Sequence, residues 1–191
     1  MNKNVLQKLL RDLYNHKIDP KQAADLLSTL PYENLDFAKV DHHRSLRSGL
    51  AEVIYGQGKT SDQIISIIKS LHKAGNDILT TKLDSEVYKQ IKKKLPAGAV
   101  YNESSRTLVI QKAKKKKKMG HITLVSAGTS DIPIAEEAQI TAELFGSRVE
   151  TIFDVGVAGI HRLLDKVDGL RQARVVIVVA GMDGALAGVV G

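Results

Sequence analysis

Cysteine is missing altogether from the 191 residues of this chain. Disulfides, thiolate metal sites and a cysteine nucleophile are thereby excluded for the sequence as it stands. Aromatic residues amount to 4%, a poor supply of stacking platforms for single-stranded nucleic acid. No apolar run approaches the roughly 18–20 residues that a membrane span requires. The opening MNKNVLQKLLRDLY breaks its apolar residues at helical spacing, so it lacks the continuous apolar core of a signal peptide. No membrane partner is expected, and a cytoplasmic location is the default.

The formal net charge is +7, from 28 Lys and Arg against 21 Asp and Glu. Most of that excess stands in one place, at Lys112 and at residues 114–118. Like charges held together resist compaction and favour an extended, hydrated chain. The spacing therefore predicts a small N-terminal α+β domain over residues 1–111, a Lys-rich linker over 112–120, and a parallel α/β domain over 121–191. No nucleic acid partner is expected from a single run of lysines in an otherwise balanced chain.

In the first of these segments, Val5, Leu6, Leu9, Leu10 and Leu13 form one apolar helical stripe. Asp19 and Pro20 mark the start of a second helix, which runs to Leu30 and stops at Pro31. LDFAKVD and AEVIYG are short apolar runs that read as strands. Thr60 or Ser61 caps a helix striped by Ile64, Ile65, Ile67, Ile68 and Leu71 and closed by Gly75. DILTTKL reads as a strand, SEVYKQIKKKL as a helix halted by Pro96, and AVYNESSRTLVI as a hairpin about its NESS turn.

After Gly120 the rhythm becomes strand, helix, strand, helix, strand: HITLVSA, IPIAEEAQITAELFG, RVETIFDVG, AGIHRLLDKV and ARVVIVVAG. That alternation is the mark of a parallel sheet with crossover helices. VVIVVA has no polar position on either face and is expected to be a central strand buried on both sides. ALAGVVG then begins a further helix. Three strands with a helix just begun suggest an incomplete domain, in which Leu186, Val189 and Val190 have little to pack against.

In an open parallel sheet, ligands bind beyond the carboxyl ends of the strands, and the three strand ends here are rich in small and acidic residues. The first is Ser126-Ala127-Gly128-Thr129-Ser130-Asp131. Its hydroxyls and N–H groups either bind an anion at a helix N-terminus or simply cap that helix. The second carries Asp154, Gly156 and Gly159, without the spacing of a dinucleotide fingerprint. The third is Gly181-Met182-Asp183-Gly184, where the carboxylate of Asp183 is placed either for acid–base work or as a helix cap. In the N-terminal half, Arg44 and Arg47 could grip a phosphate or carboxylate, or pair with Asp41 and Glu52 in a surface turn. His42 and His43 lack the i, i+4 spacing and third ligand of a zinc site, and no metal ligand is identified.

GTSD after the first strand and GMDGALAGVVG after the third resemble the phosphoribosylaminoimidazole carboxylases, whose first loop is of GSxSD type. The segment at the second strand end, DVGVAG, has neither the histidine nor the arginine of that family's SAHRTP loop. The chain is similar throughout to the LarB family of nickel-pincer cofactor biosynthesis proteins, which join a distinct N-terminal domain to a carboxylase-like one. DHHRSLRSGLAEVIYGQGKT (41–60), VSAGTSDIPIAEEA (125–138), FDVGVAGIHRLL (153–164) and VVAGMDGALAGVVG (178–191) carry the likeness.

The resemblance implies a three-layer carboxylase-like fold and an activity. LarB-type proteins carboxylate the pyridinium ring of nicotinic acid adenine dinucleotide and hydrolyse its phosphoanhydride. The products are a biscarboxylated pyridinium mononucleotide and AMP, and CO2 or bicarbonate is the co-substrate. Carried onto this sequence, Asp183 is the base, while Ser126, Gly128, Thr129, Ser130 and Asp131 hold phosphate and ribose. Asp154 and Gly156 line the pyridine pocket, Gly181, Met182 and Gly184 of the third loop bind substrate as well, and so do Arg44 and Arg47, which belong to a family element. Mg2+ would assist the hydrolysis. In the family a cysteine beyond the GM[E/D]GAL helix supplies the nucleophile; the expectation is therefore a C-terminally shortened, inactive chain, homo-oligomeric when full length.

Two other functions remain in view, an aminoimidazole ribonucleotide carboxylase of purine biosynthesis and a basic nucleic-acid-binding module. The second has a direct check. If the lysine run binds nucleic acid, affinity falls steeply with salt and disappears when residues 112–118 are neutralised. Affinity unchanged by that substitution sinks the module.

Overall fold

A computed structural model describes residues 3–28, 32–42, 44, 50–111 and 118–191. Leu30 and Pro31, Arg47 and its neighbours, and the lysine run up to Lys117 lie outside the described residues. The chain divides into two compact units, residues 1–101 with 108–114, and residues 115–191 with 102–107.

In the first unit, helices α1 (Lys3–Tyr14) and α2 (Pro20–Ser28) come first. Asp19 starts α2 as its neighbourhood predicts: Gln22 N donates to Asp19 Oδ1 at 2.7 Å, and Asp19 N to Gln22 Oε1 at 3.0 Å. A four-stranded sheet follows, built from β3 (Val53–Tyr55), β4 (Ile78–Thr81), β5 (Ala99–Asn102) and β6 (Thr107–Ile110) in the order β3-β4-β6-β5. Strands β3 and β4 are parallel, joined across α3 (Ser61–Lys73), while β4 and β6 are antiparallel. Thr60 is the cap of α3, in a reciprocal pair with Gln63. Ile64, Ile68 and Leu71 from α3 meet Ile78, Leu83, Leu108 and Ile110 in one core. α4 (Ser85–Ile91) tightens into a single 3-10 turn before Pro96.

One strand reads differently in three dimensions. LDFAKVD is mostly a turn inside a short hairpin of β1 (Glu33–Asn34) and β2 (Lys39–Val40). Asp36 has a positive φ of 64°, and its N–H donates to Asn34 Oδ1 at 3.1 Å. Short polar side chains that bond their own backbone stabilise such a turn, and two flanking apolar residues do not outweigh them.

In the second unit, β7 (Met119–Ser126) lies between β8 (Ser147–Ile152) and β9 (Val175–Val179), and both pairings are parallel. Helix α5 (Ile132–Leu144) joins β7 to β8. The predicted second helix, AGIHRLLDKV, is observed as the shorter α6 (Ile160–Leu164), and a further helix, α7 (Val167–Arg171), follows it on the way from β8 across to β9. The direction of winding reverses at β8. With right-handed crossovers, that places α5 on one face of the sheet and α6 and α7 on the other. α8 (Ala185–Val190) joins the latter face, where Leu186 packs with Val125, Val155 and Leu163.

Two expectations are corrected here. The central strand is β7, not VVIVVA: β9 pairs only with β7 among the described residues, and Val175 is 53% exposed. An apolar run records the lack of polar positions, whereas centrality depends on pairing at both edges. Leu186 also has a well-packed place, at 2% exposure, because α8 folds back over the sheet.

Glu33 ties the small hairpin to α3. Ser70 Oγ donates to Glu33 Oε2 at 2.5 Å, and His42 Nε2 lies 3.1 Å from the same oxygen. The Ser70 hydrogen bond, with help from His42 and the charge of Lys73, holds the Glu33 carboxyl below its ordinary value despite the opposing effect of burial. Because the folded value is the lower one, this contribution is complete above the unfolded value near about 4.3 and is lost as pH falls through the folded one. Glu33→Gln should therefore lower Tm at pH 7, with a gap to the native chain that narrows below about pH 4. Glu33 is half exposed, so the gap is modest. A gap of constant size from pH 7 to pH 3 would show that the charge of Glu33 contributes nothing.

Candidate functional site

Parallel pairing brings the carboxyl ends of β7, β8 and β9 to one edge. The helices that follow β7 and β9 lie on opposite faces, so the edge between these two neighbours is the switch point where an open α/β sheet parts. Main-chain bonds stitch the loops together there. Ala127 N donates to Val179 O at 3.0 Å, Val155 N to Ser126 O at 3.1 Å, and Gly156 N to Ala127 O at 2.8 Å.

The first loop closes on itself. Gly128 N donates to Asp131 Oδ2 at 2.9 Å, and Asp131 N returns to Gly128 O at 3.0 Å. Thr129–Asp131 form a 3-10 turn that leads into α5, whose N-terminus has no side-chain cap. Thr129 and Ser130 are therefore not helix caps. The N-terminus of this thirteen-residue helix has no side-chain cap and carries the positive end of its dipole, while its first amide, Ile132 N, donates to Thr129 O within the 3-10 turn. Ser126 is different: it is 0% exposed, and its hydroxyl has no hydrogen-bond partner among the described residues.

In the second loop, Gly156 is glycine for space rather than for dihedral freedom. A Cβ there would stand 2.9 Å from the carbonyl oxygen of Ala127. Asp154 has a φ of 59° and accepts a bond at 2.7 Å from Arg162 Nη1. DVGVAG contains no arginine, yet the fold delivers one to it. Only a turn of helix returning from residue 160 brings Arg162 back, and linear spacing does not reveal it.

The third loop has two consecutive left-handed residues, Asp183 (φ 69°) and Gly184 (φ 64°). The N-cap position of α8 is Gly184, without a side-chain cap. Asp183 thus does not cap the helix, and its carboxylate is exposed. Asp adopts the left-handed region more readily than most residues.

A cleft of about 290 Å³ opens between the first and third loops. Gly128, Ser130 and Asp131 line one side, Gly181 and Met182 the other, and Val157 enters from the second loop. A Cβ on Gly181 would lie 3.8 Å from Asp131 Oδ1, so these two loops meet. Thr129, Asp154, Gly156, Asp183 and Gly184 flank the cleft without lining it, and Ser126 is sealed beneath. The volume is close to the lower end of small-molecule pockets. Arg44 belongs to the first unit and is exposed; Arg47 lies outside the described residues. No group of three or more His, Asp or Glu among the described residues could hold a metal ion, and no helix among them is long and apolar enough to cross a membrane.

Two comparisons bear on this arrangement. A family model for the LarB/PurE-like N-terminal domain matches residues 32–113, which contain β1 through β6. The whole chain is also similar to the uncharacterized protein MJ0165 of Methanocaldococcus jannaschii, with 38% identity over 200 residues, covering 100% of this chain and 77% of that protein.

The stitching of the loops has a measurable consequence. Gly156→Ala should force its backbone away from Ala127 and cost roughly 1–3 kcal/mol. For a chain of this size that is a fall in Tm of several degrees, about 2–4 °C per kcal/mol. A variant that melts with the native chain would mean the close approach is not required.

Proposed function

The chain belongs to the LarB/PurE-like family, whose members are carboxylases or related enzymes, and from that premise we propose that it acts in nickel-pincer nucleotide cofactor biosynthesis. Its substrate is nicotinic acid adenine dinucleotide, which is carboxylated on the pyridinium ring and cleaved at the phosphoanhydride to release AMP. The observation that carries this reading is the cleft at the β7–β9 edge, whose GTSD and GMDGA loops bear the motifs of the resemblance. An uncapped helix N-terminus on one side suits a phosphoryl group, and a carboxylate on the other suits proton transfer.

The chemistry assigns the roles. A pyridinium C–H is not acidic until a nucleophile adds to the ring and removes its positive charge. The resulting neutral ring attacks CO2 through an enamine carbon. Asp183 then takes the proton from that carbon, and departure of the nucleophile restores the aromatic pyridinium. Gly128, Ser130 and Asp131 hold phosphate and ribose, while Asp154 and Gly156 flank the ring. The chain contains no cysteine, so a thiolate of the kind the resemblance implies comes from outside these residues. No cluster of three His, Asp or Glu side chains among the described residues forms a cage for Mg2+.

Aminoimidazole ribonucleotide carboxylation is the second reading, favoured by the same GTSD loop and opposed by the lack of a histidine in DVGVAG. Rescue of a purine auxotroph by this chain would establish it in place of the first.

Titration of the chain with nicotinic acid adenine dinucleotide should show saturable binding. In a version extended through a cysteine-bearing segment, bicarbonate and magnesium should yield AMP and the dicarboxylated mononucleotide by mass spectrometry. Absence of both products rejects the reading. Asp183→Asn in that version should lower carboxylation by about 10²–10⁴-fold with nucleotide binding kept; equal loss of binding would make Asp183 structural.

A further inference from the structure

The second strand end carries a cation just beyond DVGVAG. Arg162, in α6, reaches back to Asp154, and the pair is 40% and 53% exposed. The guanidinium lies against Gly159, where an added Cβ would stand 2.7 Å from Nε and 3.0 Å from Nη2. Gly159 has a φ of −126°, so backbone freedom does not require glycine there, and an added Cβ would push the flexible end of Arg162 aside. Gly159 ends the turn whose first residue, Val157, lines the cleft. The space over Gly159 is thus a slot that this side chain occupies, next to the turn that carries Val157.

Charge gives the slot a purpose. The loops over residues 126–131, 153–162 and 180–185 hold three carboxylates, Asp131, Asp154 and Asp183, and one permanent cation, Arg162. An anionic ligand entering that edge is repelled by the three and attracted by the one. Phosphate has another partner in the N-terminus of α5. Asp154 engages one N–H of Arg162 and is its only hydrogen-bonding partner among the described residues. A guanidinium has five such donors in a planar fork that matches a carboxylate.

We propose that Arg162 is a specificity-determining residue that binds a carboxylate on the ligand's pyridine ring, with Asp154 and Gly159 holding the guanidinium in place. The site then selects a pyridine dinucleotide bearing a ring carboxylate over its carboxamide counterpart. This rests on the dinucleotide reading given above.

The test is calorimetric titration of the whole chain with nicotinic acid adenine dinucleotide and, separately, nicotinamide adenine dinucleotide. The native chain should bind the acid at least about tenfold more tightly. Arg162→Gln should bring the acid down to the level of the amide and leave the amide within about twofold. Arg162→Lys, which keeps the charge without the fork, should retain part of the preference. Gly159→Ala, which keeps the arginine but displaces it, should also weaken the preference; circular dichroism and melting confirm that each variant folds. Equal loss of both ligands in Arg162→Gln would assign Arg162 to phosphate or to structure and overturn the proposal. Native binding of both ligands without preference would overturn it while sparing the dinucleotide reading. Binding of neither would overturn both.

Discussion

Main-chain hydrogen bonds converge on the last residue of β7 and the one after it, and the candidate site depends on them. Ser126 and Ala127 receive bonds from the second loop, and Ala127 donates to the end of β9. A central parallel strand is the only kind of element that can be tied to loops on both sides in this way. Once β7 is central, three loops drawn from along residues 126–185 share one edge. The reversal of winding at β8 then decides where along that edge space is left, and it is left between β7 and β9.

The first unit uses a similar device with a different outcome. Gly56, just past β3, donates to Thr81 O at 2.7 Å, and a Cβ on it would stand 3.0 Å from that oxygen. Here too a glycine draws two parallel strand ends together. The loop that follows, however, spends its polar groups locally. Thr60 caps α3, and Lys59 Nζ donates to Tyr55 O at 2.8 Å. The corresponding helix in the second unit, α5, begins without a side-chain cap. The contrast between a helix start closed by a side-chain cap and one closed only by its own main chain separates the structural loop from the candidate ligand loop.

What could be read in the sequence follows the range of the interactions involved. The starts of α2 and α3 were legible because a cap and its partner lie three residues apart. The three strand-end loops were legible because glycine and aspartate cluster where periodicity changes. The place of β9 was not, since five apolar residues fit an edge covered on its faces as well as a centre. Nor was the turn within LDFAKVD, where Asn34 and Asp36 override an apolar pattern. Arg162 escaped for a third reason. Its role depends on an irregular 3-10 turn that redirects α6, and no residue in that turn announces its geometry.

The left-handed backbone at Asp183 has a consequence for how this loop can change. Residues that tolerate such dihedrals are few, chiefly glycine, asparagine and aspartate. Aspartate adopts this backbone at less cost than glutamate, the alternative in the GM[E/D]GAL pattern, so the shorter acid stands here with less strain. Exchange for asparagine keeps that backbone and removes only the charge. The spot where the acid stands is a property of the fold.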